Sequence, residues 1–144
     1  MSAAAAKAGG SVISAYGTYQ QGKMDDKMGK YNARISEQDA VMTRNKGYRD
    51  EAALRRSFEE QQSSNRVAIG KSGVAFSGSP MDALAYNAAK AELDALNVRY
   101  SSEVSAKAHE QSAKMSRYTG KMAKYQAKIS ALSQLMGAGA QGAS

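Results

Sequence analysis

Five basic side chains in the last third of the sequence have the spacing needed to contact phosphate. They follow one another at intervals of three and four residues, and they are Lys114, Arg117, Lys121, Lys124 and Lys128. No acid occurs from residue 111 onward. Because a helix turns by about 100° per residue, they form one continuous basic stripe along a helix. The stripe predicts contact with phosphates of nucleic acid or lipid, and a solvated face is the alternative. Nothing beside it is arranged to read bases, so DNA contact is expected to be independent of sequence.

Side chains that usually carry catalysis or bind metals are scarce. The chain has no cysteine and a single histidine, His109, which leaves no partners for a zinc site or a general base. Its carboxylates come as pairs such as Asp25–Asp26 among lysines and arginines, as on a solvated helix face. Gly70-Lys71-Ser72 lacks the earlier glycine of a phosphate-binding loop, since Asn65 stands there. We therefore expect no enzyme activity, no metal and no cofactor.

Long helices must position the basic stripe. The composition favours good helix formers, with no Trp, two Phe and one Pro. That proline, Pro80, ends a Gly/Ser-rich stretch, and Ser79 before it and Asp82 after it predict a capped helix start. The fold class is therefore all-α, a long helical hairpin with oligomeric, coiled-coil-like packing. The predicted segments are an Ala/Gly-rich N-terminal segment 1–22, a first long helix 23–69, a loop 70–79, a second long helix 80–136 and a flexible Gly/Ala tail 137–144.

The second predicted helix carries a regular row of apolar residues, which alternates spacings of four and three over more than four heptads. Such a row predicts a coiled-coil-like seam. Its larger members, which we interpret as an oligomer seam, are Val104, Met115, Tyr118, Met122, Tyr125, Ile129, Leu132 and Met136, with Ala108 and Gln111 between them. The first predicted helix repeats the rhythm from Met24 to Met42. Small residues beside the seam favour contacts among many helices, so we expect a homo-oligomer, with a ring as the favoured form.

Three stretches of the sequence resemble a known group of proteins. The longest is GKSGVAFSGSPMDALAYNAAKAELDALNVRY, residues 70–100, and the other two are SAYGTYQQGK and KYNARISEQDA in the first half. Together they resemble the small internal virion proteins, also called core or ejection proteins, of short-tailed bacteriophages. The resemblance extends over most of the chain, through low-complexity helical motifs.

This resemblance implies a structural protein that is a subunit of a conduit for ejecting phage DNA. Such a protein is packaged inside the capsid near the portal, beside other core, portal or tail proteins. It is then released into the host envelope, where the smallest members are associated with a pore in the outer membrane. The alternatives are a helical adaptor or plug at the portal or tail, outside any channel, and a helical binding module of the chaperone type. No stretch has the ~18 consecutive apolar residues of a membrane-spanning helix.

Overall fold

In a computed structural model the chain forms two long helices that pack against each other as a hairpin. Helix α1 spans Ser2–Lys71 and helix α2 spans Ser79–Gln141. The structure describes residues 2–73 and 78–141, with side chains for residues 10, 12–73 and 78–137, and these residues include no strand. The predicted all-α hairpin is confirmed.

Both helices are longer than the sequence analysis predicted. Helix α1 begins at Ser2 instead of residue 23, so helix replaces most of the predicted N-terminal segment. Alanine is the best helix former, and single glycines cost only about 1 kcal/mol each within a helix, so the Ala-rich start continues α1. Helix α2 likewise passes residue 136 and ends at Gln141. Residues 142–144 of the predicted tail and 74–77 of the predicted loop lie outside the described residues.

The turn between the helices is bounded by two glycines with positive φ, Gly73 at 72° and Gly78 at 71°. At the end of α1, the Ser72 amide donates to the Ala68 and Ile69 carbonyls, and Gly73 then takes the left-handed conformation common after helices. At the start of α2, the Asp82 amide donates to the Gly78 carbonyl at 3.2 Å. The carbonyl of the capping residue accepts this first helical bond, so Gly78 caps α2, one residue before the predicted Ser79.

The hairpin consists of two compact units, each built from both helices. Unit 1 contains Met1–Gln38 and His109–Ser144, and unit 2 contains Asp39–Ala108. In both units small side chains form the contact between the helices. The buried alanines and glycines of unit 1 are Ala15, Gly22, Gly29, Ala33, Ala113, Gly120 and Ala131. Those of unit 2 are Ala40, Gly47, Ala95 and Ala106, with Leu84 also buried.

The apolar row that the sequence predicts as a seam does not form the contact between the two helices. In unit 1 the row lies two residues beyond the buried positions, since Met115 follows Ala113 and Met122 follows Gly120. Two residues correspond to about 200° around a helix, which places the row on the side facing away from the other helix. The helices instead meet through side chains small enough to let their backbones approach closely.

Candidate phosphate-binding groove and outer apolar rows

The basic stripe lies entirely in unit 1 and flanks the contact between the helices. Lys114, Lys121 and Lys124 each follow a residue of the inner face of α2 by one position. The stripe therefore lies about 100° from that inner face, at the edge of the contact with α1. This position brings its side chains within reach of groups on the other helix.

Carboxylates of α1 pair with two members of the stripe. Arg117 forms an ion pair with Glu37 at 2.7 Å, and Lys124 approaches Asp26 at 3.5 Å. The absence of acids from residue 111 onward therefore does not leave these two residues without a neighbouring carboxylate. The reason is geometric, because the acids lie about 80 or more residues away in the sequence and only the hairpin brings them close.

Asp26 is the centre of this charged region. Its residue surface is 5 % exposed, although its neighbours are lysines. The Lys30 ammonium donates to Asp26 Oδ2 at 2.8 Å, and Lys124 Nζ lies 3.5 Å from the same oxygen. The hydrogen bond from Lys30 lowers the pKa of Asp26 below its usual 3.8, and the positive charges of Lys30 and Lys124 act in the same direction against the effect of burial. Asp26 is therefore ionised at neutral pH.

Around Asp26 the two helices form a groove, which we call the lysine groove. The residues that line it are Asp26, Lys30, Lys121, Lys124, Tyr125 and Lys128. Four ammonium groups thus face one carboxylate in this lining, and three of the four come from the predicted stripe. The fourth, Lys30, comes from α1 and is not among the predicted site residues. Such an excess of positive charge in a groove attracts anions.

A sequence signal for Lys30 exists in an internal repeat. Residues 27–36 read KMGKYNARIS and residues 121–130 read KMAKYQAKIS, with seven of ten positions identical. The repeat makes Lys30 the counterpart of Lys124, and these two lysines approach the same oxygen of Asp26. Aligning the chain with itself is therefore enough to associate Lys30 with the stripe.

The predicted apolar row forms an exposed outer row on α2. Met115 is 64 %, Tyr118 61 % and Tyr125 63 % exposed, and the larger members before and after them are exposed as well. Within unit 1, helix α1 carries a matching outer row, in which Met24 is 61 % and Tyr31 62 % exposed. Tyr31 and Tyr125 occupy equivalent positions of the repeat. The outer rows leave large apolar side chains in contact with water on both helices of the unit.

Two glycines let the helices approach closely beside the lysine groove. A Cβ atom added at Gly29 would lie 2.6 Å from the Ser116 carbonyl oxygen and 3.0 Å from Gly120 Cα. One added at Gly120 would lie 3.0 Å from the Asp25 carbonyl oxygen. Since these neighbours are backbone atoms, no side-chain rotation can make room for a larger residue.

The other sequence candidates occupy unremarkable positions. His109 is half-buried in the inner face of α2, and Gly70 and Lys71 are the last residues of α1, with Ser72 in the turn that follows. Among residues 2–73 and 78–141, no group of three or more His, Asp or Glu side chains is placed to hold a metal ion. In that same part of the chain, neither helix contains a stretch apolar enough to cross a membrane.

We compared the chain with known protein families, curated proteins and solved structures. No protein-family model, curated protein or solved structure matches the chain. The resemblance to internal virion proteins therefore remains a prediction, which rests on the sequence stretches quoted above.

Proposed function

We propose that this protein is a structural virion protein that assembles with copies of itself into part of a conduit for ejecting phage DNA. One observation carries the assembly: the large apolar side chains of unit 1 lie in outer rows instead of between the helices. Contiguous exposed apolar surface is typical of protein interaction sites. The conduit role, the location inside the capsid and the later release into the host envelope rest on the resemblance.

A second copy of the chain is the partner that fits the outer rows. The rows of α1 and α2 share the repeat, so that Met28, Tyr31 and Ile35 correspond to Met122, Tyr125 and Ile129. Two faces with the same side chains at the same heptad spacing can interdigitate between copies. Repetition of this contact around an axis produces a ring, as in other closed homo-oligomers.

The basic stripe supplies the proposed contact with DNA. Unit 1 contains ten lysines and arginines against four acids, so it carries a large positive excess. A protein that guides DNA through a conduit needs attraction to phosphates without preference for sequence, and lysines provide this. Lipid headgroups of the host outer membrane carry the same phosphate chemistry and are the other candidate ligand of the stripe.

Light scattering on the purified protein tests the proposed assembly. We expect a discrete multimer, in plain buffer or in mild detergent, and a shift towards monomer for the double variant Tyr118→Glu, Tyr125→Glu. Val67→Glu is the matched control, because Val67 is also exposed but lies outside the outer rows. A monodisperse wild-type monomer under both conditions would contradict self-assembly through these rows.

Protein analysis of the phage that encodes this sequence tests the conduit role. Purified virions should contain the chain, and particles that have ejected their DNA should have lost it. Retention in the emptied particle would instead support the adaptor or plug. Absence from intact virions would contradict a virion role altogether and favour the chaperone-type binding module.

A further inference from the structure

We infer that the lysine groove is a two-helix binding site for the backbone phosphates of nucleic acid, to which Lys30 of α1 contributes together with Lys121, Lys124 and Lys128 of α2. This inference deepens the proposed function, on whose phosphate contact it rests. It differs from a stripe on one helix because the complete site exists only when the hairpin is formed.

Asp26 holds the two central lysines in position. Lys30 and Lys124 both direct their ammonium groups at Asp26 Oδ2, at 2.8 and 3.5 Å, so one carboxylate oxygen gathers two like charges. Each ammonium has three hydrogens to donate and directs one donor towards Asp26, which leaves further donors for phosphate oxygens. The side chain of Asp26 is 7 % exposed, whereas those of Lys30 and Lys124 are 57 % and 37 % exposed. The acid is therefore sheltered and the ammonium groups are accessible.

The spacing of the groove suits a polymer better than a single ion. Lys121 and Lys128 are seven residues apart on α2, which corresponds to about 10 Å along the helix axis. A strand of duplex DNA presents a phosphate about every 3.4 Å along its axis, so about three phosphates span this distance. Four ammonium groups opposed by one carboxylate leave a net charge of three in the groove, enough to contact several phosphates at once.

Nucleic acid is favoured over a lipid surface by where the groove lies. The α2 lysines are about 100° around the helix from the outer row, at the edge of the contact with α1. A membrane-bound amphipathic helix would insert its apolar outer row into the lipid. In the proposed assembly other copies cover that row, including Tyr125 at the rim of the groove, whereas the four lysines lie on the side of Tyr125 towards α1 and remain open.

Salt-dependent binding of a labelled DNA duplex of mixed sequence to the full chain tests this inference. Each phosphate contact changes the slope of log K against log salt by about 0.9. Lys30→Gln and Lys124→Gln should each make the slope shallower by about 0.9, although they lie on different helices. Lys46→Gln, an exposed lysine of unit 2, is the charge-matched control and should leave the slope unchanged.

Three outcomes would overturn the inference. If Lys30→Gln keeps the wild-type slope while Lys121→Gln makes it shallower, phosphates contact only the stripe on α2, and the two-helix site is contradicted. If Lys46→Gln makes the slope shallower by as much as Lys30→Gln does, the overall positive charge of the protein attracts the DNA, and the groove is not a specific site. Binding to vesicles that contain the anionic lipid phosphatidylserine, without binding to the duplex, would assign the groove to lipid. Light scattering on the same samples separates these outcomes from a failure of assembly, since the variants should keep the wild-type mass.

Discussion

The two units of the hairpin share one way of packing and differ in how they use charge. Unit 1 has ten lysines and arginines against four acids, whereas unit 2 has ten against nine. Eight of the ten bases of unit 1 are lysines, while six of those of unit 2 are arginines. Arginine makes planar, directed ion pairs, and lysine is a mobile point charge. Unit 2 is therefore close to neutral, with a formal net charge of +1, whereas unit 1 carries +6.

Individual contacts show the same contrast. In unit 2, Arg55 bridges Glu51 on its own helix and Glu92 on the other, at 2.9 and 2.8 Å. In unit 1 the arrangement is reversed, since one carboxylate, Asp26, is shared by lysines from both helices. Two carboxylates around one arginine give a net negative charge, whereas two lysines around one carboxylate give a net positive charge.

The largest expected effect concerns the close approach of the helices in unit 1. Gly29→Ala places a methyl group against backbone atoms of α2, and overpacking of this kind costs about 1–3 kcal/mol. Alanine regains about 1 kcal/mol of helix propensity, so we expect a net loss of up to about 2 kcal/mol in the free energy of unfolding. Urea denaturation followed by circular dichroism measures the change.

Gly17→Ala is the control for this substitution. Nothing lies within 4 Å of a Cβ at Gly17, so the same change there should stabilise the protein by about 0.5–1 kcal/mol. In unit 2 a Cβ at Gly47 meets the Ser102 side chain, and Ser102→Gly should therefore rescue Gly47→Ala. Equal effects of Gly29→Ala and Gly17→Ala would show that the glycines of unit 1 do not set the distance between the helices.

An intermediate effect is expected for the shared carboxylate of unit 1. Because the folded-state pKa of Asp26 is lowered, its ionised form stabilises the fold above the unfolded pKa near 3.8. This contribution is lost as pH falls through the lower folded-state pKa. Asp26→Asn should therefore reduce stability at pH 7 and weaken the loss of stability on acidification below about pH 4. Denaturation midpoints at several pH values compare the two proteins, and parallel pH profiles would refute the role of Asp26.

The smallest expected effect concerns the arginine bridge of unit 2. Arg55→Ala removes both ion pairs, and because Arg55 is 43 % exposed the loss should be about 0.2–1 kcal/mol and decrease with added salt. Arg56→Ala is the control, since Arg56 donates only to the Ala52 carbonyl of its own helix among its described contacts. DNA binding should be unchanged in both variants. A weaker affinity of Arg55→Ala for the DNA duplex would contradict the proposal that the phosphate-binding site lies in unit 1.

Much of the fold can be predicted from the sequence because helix signals are local. Pro80, the glycines around it and the helix-forming composition determine two helices and a turn, and the hairpin follows. The start of α1 at Ser2 is harder to predict, because glycines such as Gly10 and Gly17 resemble helix breaks. In a long helix their cost is small beside the gain from the surrounding alanines.

The face through which the helices pack cannot be predicted by following large apolar side chains. Ala113, Gly120 and Ala106 keep the same rhythm as the Met/Tyr row, but small residues give little hydrophobic signal. Which of two parallel rows faces the other helix depends on how closely the backbones approach, a property of both helices together. The pairing of Asp26 with Lys124 cannot be predicted for the same reason, because Asp26 lies on α1 and Lys124 on α2. Comparing the charges within one helix does not detect a pair between two helices.

Cysteine cross-linking tests the central claim most directly, since the natural chain contains no cysteine. Tyr31→Cys and Tyr125→Cys each place a thiol on one of the two outer rows, and Ala113→Cys places one in the inner contact. Under mild oxidation we expect disulfide-linked dimers when the Tyr31→Cys and Tyr125→Cys proteins are mixed, and protection from a thiol reagent for Ala113→Cys. Dimers that form only through Ala113→Cys would contradict the account, because they would mean that copies meet through the small-residue face and not through the outer rows.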